Sequence, residues 1–290
     1  MMTHILRMKC EDQAGIVSGL GQVLDRFGCN IGQSFQFLQP ASIREDDVAE
    51  IFFLRLEFTC TEQTDWSELE QELEALRSCF DADLSVRESG RAVPTILMVS
   101  KFDHCLIDIL YRVQTGKLPL DIVAVVSNHA HSRADVERLG IPYYLWPVTK
   151  ENKQEQEQKL EELIERSGAE LVVLARYMQI LSDEFSSRHF GKIINIHHSF
   201  LPAFKGAMPY KRAWERGVKH IGATAHYVTP NLDEGPIIEQ DTERVSHSDS
   251  ASDLVRLGGD VEARVLSKAL RLHIEGRVFI NGNRTIVFKG

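Results

Sequence analysis

The sequence predicts an α/β protein in two parts: a small ferredoxin-like βαββαβ module, then a doubly wound, mostly parallel sheet. Three observations carry this. The first 88 residues hold four strand-like runs and two amphipathic helical runs in that order. From Pro94 onward, short continuous apolar runs (TILMVS, DIVAVVS, LVVLA) alternate with helical periodicity, as strands buried on both faces do. After residue 220 the runs turn to apolar–polar alternation, the mark of antiparallel strands. The polar stretch ESGRAVP predicts the boundary, giving domains 1–88 and 89–290.

In the first domain, His4 to Met8 alternates as a strand. Asp12 is expected to cap the next turn, and Ile16, Leu20, Val23, Leu24 and Phe27 recur at helical spacing. Gly28 stands at the stop position. Asn30 to Leu38 and Ala49 to Thr59 read as strands joined by a polar loop, Gln39 to Asp47. Asp65 opens a helix through Cys79 with Trp66, Leu69, Leu73 and Leu76 on one face, and Asp83 to Arg87 closes the module. With DQAGIVSGLGQVLDRFGCNI in view, this domain resembles the ACT domain, a family that commonly senses amino acids. The resemblance implies an effector site at the turn Asp12, Gln13, Ala14 and Gly15, next to a dimer interface. An amino-acid effector and a homodimer or homotetramer are therefore expected partners. The alternative is a module that only oligomerises the enzyme.

In the second domain, Pro94 to Val99 is a buried strand, and His104 to Thr115 a helix with Leu106, Ile109, Leu110 and Val113 inward. Asp121 to Ser127 and Ile141 to Trp146 are strands flanking a short helix, Ser132 to Leu139. Asn152 to Ser167 is a charged helix whose KQEQEQK run reads as a solvated face. Leu171 to Ala175 and Ile193 to Ile196 are buried strands. Gly222 to Val228 and Glu239 to Val245 alternate, Ser252 to Glu275 is a helix, and Asn281-Gly282 marks a hairpin within Arg277 to Phe288.

Bulk properties exclude several classes. Hydrophobic residues make up 43% and charged ones 26%, a globular mix. A net charge of −9 argues against nucleic acid or an anionic membrane as partner, since both select a basic face. No run of about 18 apolar residues predicts a membrane span, and the start, MMTHILRMKCED, lacks the apolar core of a secretory signal. Five cysteines (Cys10, Cys29, Cys60, Cys79, Cys105), without CxxC spacing, read as reduced thiols in a cytoplasmic protein and not as nucleophiles. The slot after the first strand of the second domain reads SKFDHCL, so neither GxGxxG nor a Walker A sequence is present.

The chemistry centres on Ile193 to Ala207, IINIHHSFLPAFKGA. Asn195 and His197 are two apart, so both leave one face of a strand near its C-terminal end, where open parallel sheets bind ligands. A lone histidine is more often structural than catalytic. Here an amide donor sits beside a group that titrates near neutral pH, the minimum for attack on a carbonyl. Leu201-Pro202 and Lys205-Gly206 predict a sharply turning loop at a pocket rim. His197-His198 lacks the further ligand spacing of a zinc site, so no metal is expected. Asp233, in the loop NLDEGP, reads by itself as a turn former.

Taken together, NIHHSFLPAFKGA and GATAHYVTPNLDEGPIIEQ resemble the formyltransferase family that uses 10-formyltetrahydrofolate, with its pattern N-x-H-x-S-x-L-P, G-x-T-x-H and L-D-x-G-P. The resemblance spans most of residues 94–280 and implies a formyltransferase-type fold with Asn195, His197 and Asp233 as the catalytic set. ARYMQIL matches the family's folate-contacting segment, which implies that Met178, Ile180 and Leu181 line the pterin pocket. Pro230, Asn231 and Leu232 are implied to offer backbone groups to the pterin, with His198 and Ser199 as further substrate contacts. Relatives that formylate a phosphorylated amine carry a Gly-Ser-rich phosphate cradle where this chain has Ser100 to Cys105. Relatives that formylate an aminoacyl-tRNA carry a WRGAAP-like stretch where this chain has FKGAMPY. An ACT-like module ahead of the fold points instead to the family's hydrolytic branch, in which water replaces the amine. The implied products are formate and tetrahydrofolate, feeding formate to purine and one-carbon metabolism. The folate is substrate, with no tightly bound cofactor. Transfer of the formyl group to an unidentified amine is the alternative.

Overall fold

A computed structural model describes residues 2–40, 49–202 and 209–289. The chain parts into two compact units: Met1–Arg91 with Glu275–Phe279 and Phe288–Gly290, and Ala92–Ile274 with Ile280–Val287.

The first unit runs β1 (Thr3–Glu11), α1 (Ile16–Arg26), β2 (Asn30–Gln39), β3 (Ile51–Thr59), α2 (Trp66–Cys79) and β4 (Asp83–Glu88). Its strands form one antiparallel sheet in the order β2-β3-β1-β4, the predicted ferredoxin-like plan. Leu6, Met8, Leu54 and Phe58 from the sheet meet Leu20, Leu24, Leu69 and Leu73 from the two helices in one core. Asp65 caps α2 by accepting from the Glu68 N–H at 3.1 Å. α1 has no such cap. Gly15 opens it at φ 100°, and the Asp12 N–H donates instead to the Glu50 carbonyl, so the cap expected from Asp12 is absent. From residue 41 on, the expected Gln39 to Asp47 loop lies outside the described residues.

The cysteine reading needs correction. Cys29 and Cys60 form a disulfide, with Cα atoms 4.2 Å apart. The β2–β3 ladder ends at the pair Asn30 and Thr59, so the next residue on each strand faces the other. Spacing along the chain carries no trace of such a cross-strand neighbour. Cys10 and Cys105 are buried thiols and Cys79 an exposed one.

The second unit continues with β5 (Val93–Val99), α3 (His104–Gln114), β6 (Leu120–Ser127), α4 (Arg133–Arg138), β7 (Tyr143–Leu145), α5 (Lys153–Ser167) and β8 (Leu171–Leu174). Then come α6 (Asp183–Arg188), β9 (Ile193–His197), α7 (Pro209–Arg216), β10 (His220–Tyr227), β11 (Ile237–Arg244) and α8 (Ala251–Ile274). β12 (Val278–Asn281) and β13 (Arg284–Val287) form the predicted hairpin. The two short helices α6 and α7 were not legible: α6 offers a single large apolar residue, Phe185, and the apolar positions of α7, Tyr210, Ala213 and Trp214, span barely one turn.

The large sheet has the order β11-β10-β9-β8-β5-β6-β7. Its five strands β5 to β9 are parallel, whereas β10 joins β9, and β11 joins β10, antiparallel. β5 starts the sheet and is flanked by β6 and β8, so the winding reverses between β5 and β8. A crevice opens at the C-terminal ends of strands at such a reversal. Ser100, just past β5, and Met178, just past β8, meet there: the Met178 N–H donates to Ser100 Oγ at 3.0 Å.

Candidate active site

The C-terminal ends of β5, β8 and β9, the β10–β11 loop, α7 and α8 line a cleft of about 800 Å³. Asn195 and His197 enter it from β9, as their spacing predicts. The antiparallel neighbour adds a residue that sequence reasoning missed. The register pairs Asn195 with His226 on β10, and Asn195 Nδ2 lies 3.2 Å from His226 Nε2. His226 Nδ1 lies 2.9 Å from the Tyr227 carbonyl, which can only accept. The proton therefore sits on Nδ1, Nε2 accepts, and Asn195 must present its amide nitrogen. One N–H of Asn195 is spent on His226 and the other remains for a ligand. The signal for His226 was its place two residues after Thr224 in an alternating strand.

Asp233 reaches the same point from the loop after β10. The loop turns back because Gly235 packs so closely on the Tyr227 carbonyl that a Cβ has no room. Asp233 itself holds a left-handed φ of 57°, uncommon for a residue with a side chain. Its Oδ1 lies 3.2 Å from His197 Nδ1 and 3.8 Å from His226 Nε2. Only the first is a hydrogen bond. Burial opposes ionisation of Asp233, but the hydrogen bond from the His197 imidazole outweighs it and holds the carboxyl well below the usual range. The carboxylate thus keeps a proton on His197 Nδ1, and buried Nε2, in the cleft lining, has no hydrogen-bond partner among the described residues.

The turn after β9 is tied down from β10 and β11. Thr224 Oγ1 donates to the Ser199 carbonyl at 3.0 Å and accepts from the Leu201 N–H at 3.1 Å. Gln240 Nε2 donates to the Leu201 carbonyl at 3.1 Å. His198 stacks on His197 with ring centroids 5.0 Å apart. Burial, then the charges of Arg176 and His197, lower the His198 pKa to about 4, so its imidazole is neutral near pH 7. The expected Lys205-Gly206 turn and most of FKGAMPY lie outside the described residues.

Of the expected folate contacts, Met178, Ile180, Leu181, His198, Pro230, Asn231 and Leu232 line the cleft. Met178, Ile180 and Leu232 are 52%, 59% and 56% exposed, an apolar rim of the kind a flat ring covers. Ser199 is not among the lining residues: it is buried beneath the turn, with its carbonyl held by Thr224. The expected effector residues Asp12, Gln13, Ala14 and Gly15 form an exposed turn of the first unit, where Gln13 Nε2 donates to the Phe80 carbonyl.

A second cluster lines the cleft that the sequence did not announce. Glu262, buried within α8, accepts from Tyr210 at 2.5 Å on Oε1. His104 Nε2 lies 2.8 Å from its Oε2 and Arg176 Nε 3.2 Å from the same atom. Burial opposes ionisation of Glu262, and the His104 hydrogen bond and the Arg176 charge overcome it. Burial, then Glu262, pushes the Tyr210 hydroxyl far above its ordinary range, so it remains a donor. Gly258 gives Tyr210 its seat, since a Cβ there would overlap the ring. His104, Cys105 and Glu262 are close enough to share a cation. Both Glu262 oxygens are already taken, however, and the guanidinium repels positive charge, so the set does not fit a metal.

The formyl transferase sequence pattern matches residues 94–270, the unit just described. Over the full length, a Corynebacterium sp. (strain P-1) protein named formyltetrahydrofolate deformylase is 47% identical, the match covering 99% of this chain and 98% of that protein. The chain belongs to the formyl transferase family and, within it, to the formyltetrahydrofolate deformylases. A Bacillus subtilis deformylase is 46% identical over 98% of this chain and 93% of its own. The crystal structure of a Burkholderia mallei deformylase superposes with a TM-score of 0.92 at 43% identity, covering all of both chains. The deformylase likeness thus extends to the ACT-like unit as well as the formyltransferase sheet.

Proposed function

We infer that the protein is a hydrolase acting on a formamide C–N bond: it splits 10-formyltetrahydrofolate into formate and tetrahydrofolate. The observation that carries the reading is the meeting of Asn195, His197 and Asp233 at the floor of an apolar-rimmed cleft. The deformylase relatives agree with it, and nothing in the comparisons favours transfer to an amine.

In this reading the pterin lies against Met178, Ile180, Leu181 and the Pro230–Leu232 loop. The formyl oxygen points at the free N–H of Asn195 and at His197 Nε2. Water attacks the formyl carbon, and charge builds on that oxygen. The Asn195 N–H, and His197 Nε2 when it carries a proton, stabilise it without reorganising, and removing one such donor typically costs on the order of a hundred- to a thousand-fold in rate. Asp233, held so far below the usual range, is a weak base. Its part is to hold a proton on His197 Nδ1 and orient the ring, so that Nε2 is the atom that exchanges a proton with the reacting groups. Glu262 lines the cleft too, but its oxygens are engaged, which leaves the His197–Asp233 pair as the proton relay.

The same reading assigns residues 1–88 a regulatory role with an amino-acid effector at Asp12 to Gly15, and residues 89–290 the catalysis. It carries with it a homo-oligomer, a cytoplasmic location and no tightly bound cofactor. The test is formate release from 10-formyltetrahydrofolate by the purified full chain with no amine present. Formate release is expected. Turnover that requires an amine, with the formyl group recovered on it, would overturn the reading. Deleting residues 1–88 should abolish any amino-acid response, and a response that survives would place the sensor elsewhere.

A further inference from the structure

The catalytic reading leaves one buried charge unexplained. Arg176 stands just past β8, at the reversal of winding, and lines the cleft that holds Asn195 and His197. It is 8% exposed and holds a left-handed φ of 66°. Such a conformation costs about 1–3 kcal/mol for a residue with a side chain, and persists where surrounding structure imposes it. The guanidinium lies over the Phe102 ring, its Cζ 5.4 Å from the centroid, and its Nε faces Glu262. Nε makes an ion pair there without hydrogen-bond geometry, and Nη1 is buried with no hydrogen-bond partner among the described residues.

That vacancy has no remedy within the described residues. Arginine does not lose its proton in proteins, so the unpaired N–H cannot be removed by neutralisation. Glu262 cannot turn to it, because Tyr210 holds one oxygen and His104 shares the other. A buried unpaired donor on a cation is costly, and a ligand with matching charge relieves it. The Arg176 charge also reaches the reacting end of the cleft, since it helps depress His198, which stacks on His197.

The reaction supplies such a ligand only after chemistry. Water forms a bond to the formyl carbon and the C–N10 bond breaks. N10 takes one proton, one proton is released, and formate leaves with a negative charge the formamide did not carry. We propose that Arg176 Nη1 binds the carboxylate of formate, making a product subsite in the cleft that holds Asn195 and His197. This rests on the hydrolytic reading above. A larger carboxylate such as the folate's glutamate fits poorly, because that tail must reach solvent and Arg176 is enclosed.

The test is formate binding to the full chain, followed by the ¹³C line width of labelled formate and, separately, by formate inhibition of turnover. Arg176→Gln keeps the His104 and Tyr210 bonds to Glu262. It should weaken formate binding by roughly ten- to a hundred-fold, the scale of one charge-assisted hydrogen bond, with KM for the folate within about three-fold. Equal formate affinity in the two proteins would overturn the subsite. If the variant does not fold, crystals of the unaltered protein grown with saturating formate decide the matter. Three-atom density within hydrogen-bond reach of Nη1 supports the subsite; formate elsewhere only, or nowhere, refutes it. Binding needs no turnover, so the two readings fail separately. A protein that binds formate through Arg176 but hydrolyses nothing loses the hydrolase reading alone. One that hydrolyses the folate with formate binding indifferent to Arg176 loses the subsite alone.

Discussion

Two clusters line a single cleft, built from the same kinds of side chain. Asn195, His197, His226 and Asp233 form one; Arg176, His104, Tyr210 and Glu262 form the other. Each holds a carboxylate below its ordinary pKa, half-buried in the first and fully buried in the second, and each contains one residue in the left-handed region, Asp233 at φ 57° and Arg176 at φ 66°. They differ in which atom is left unsatisfied. In the first it is His197 Nε2, on a group that can gain or lose a proton. In the second they are Nε and Nη1 of Arg176, on a group that cannot. A perturbed carboxylate therefore does not by itself mark the reacting centre. The unfilled atom does, and its chemistry separates proton transfer from charge holding.

The comparison can be broken most forcefully at Glu262. Glu262→Ala strands the buried Arg176 charge and should lower unfolding free energy by about 3–5 kcal/mol, measured by urea denaturation. A loss under about 1 kcal/mol would mean that the second cluster is solvated and not a buried ion pair. On the other side, Asp233→Asn should leave the far-UV circular dichroism intact and lower turnover by about a hundred-fold or more. Near-normal turnover would remove Asp233 from the mechanism and leave the clusters alike. Gly258→Ala pushes a methyl into Tyr210 and should cost about 1–3 kcal/mol, read as a lowered melting temperature. An unshifted melting temperature would show that Tyr210 can move from Glu262 freely.

The smallest effect concerns pH. His198 takes up a proton near pH 6.5 when unfolded but only near pH 4 when folded. Between those values the unfolded chain binds more protons, so stability falls as pH drops through that window. His198→Gln should flatten this part of the melting-temperature profile; an unchanged slope would assign it to another group. Asp233 is shifted in the same direction, in a lower pH window. Its stabilisation is complete above about pH 4, the ordinary aspartate range, and is lost only as pH falls toward its depressed folded value.

How much of this was legible follows from where each contact lies along the chain. Asn195 and His197 were readable because a strand repeats every two residues and both belong to β9. The parallel sheet was readable because strands buried on both faces are continuously apolar, as in ILMV and VVL. Asp233 looked like a turn residue until the family resemblance supplied a partner, since 36 residues separate it from His197 and no local period links them. His226 depended on the β9–β10 register, and the Cys29–Cys60 bond on the β2–β3 register. Arg176 and Glu262 were invisible: one sits inside a segment read for its apolar neighbours, the other among the apolar positions of α8.

By itself, then, the sequence determined the element pattern, the antiparallel and parallel halves, and the amide–imidazole pair on one strand face. All of these follow from periodicities within ten or so residues of backbone geometry. Only the tertiary structure decided which carboxylate serves the imidazole and which is locked away. That choice depends on hydrogen bonds between elements tens of residues apart, where Tyr210 and His104 saturate Glu262 and leave Asp233 to His197.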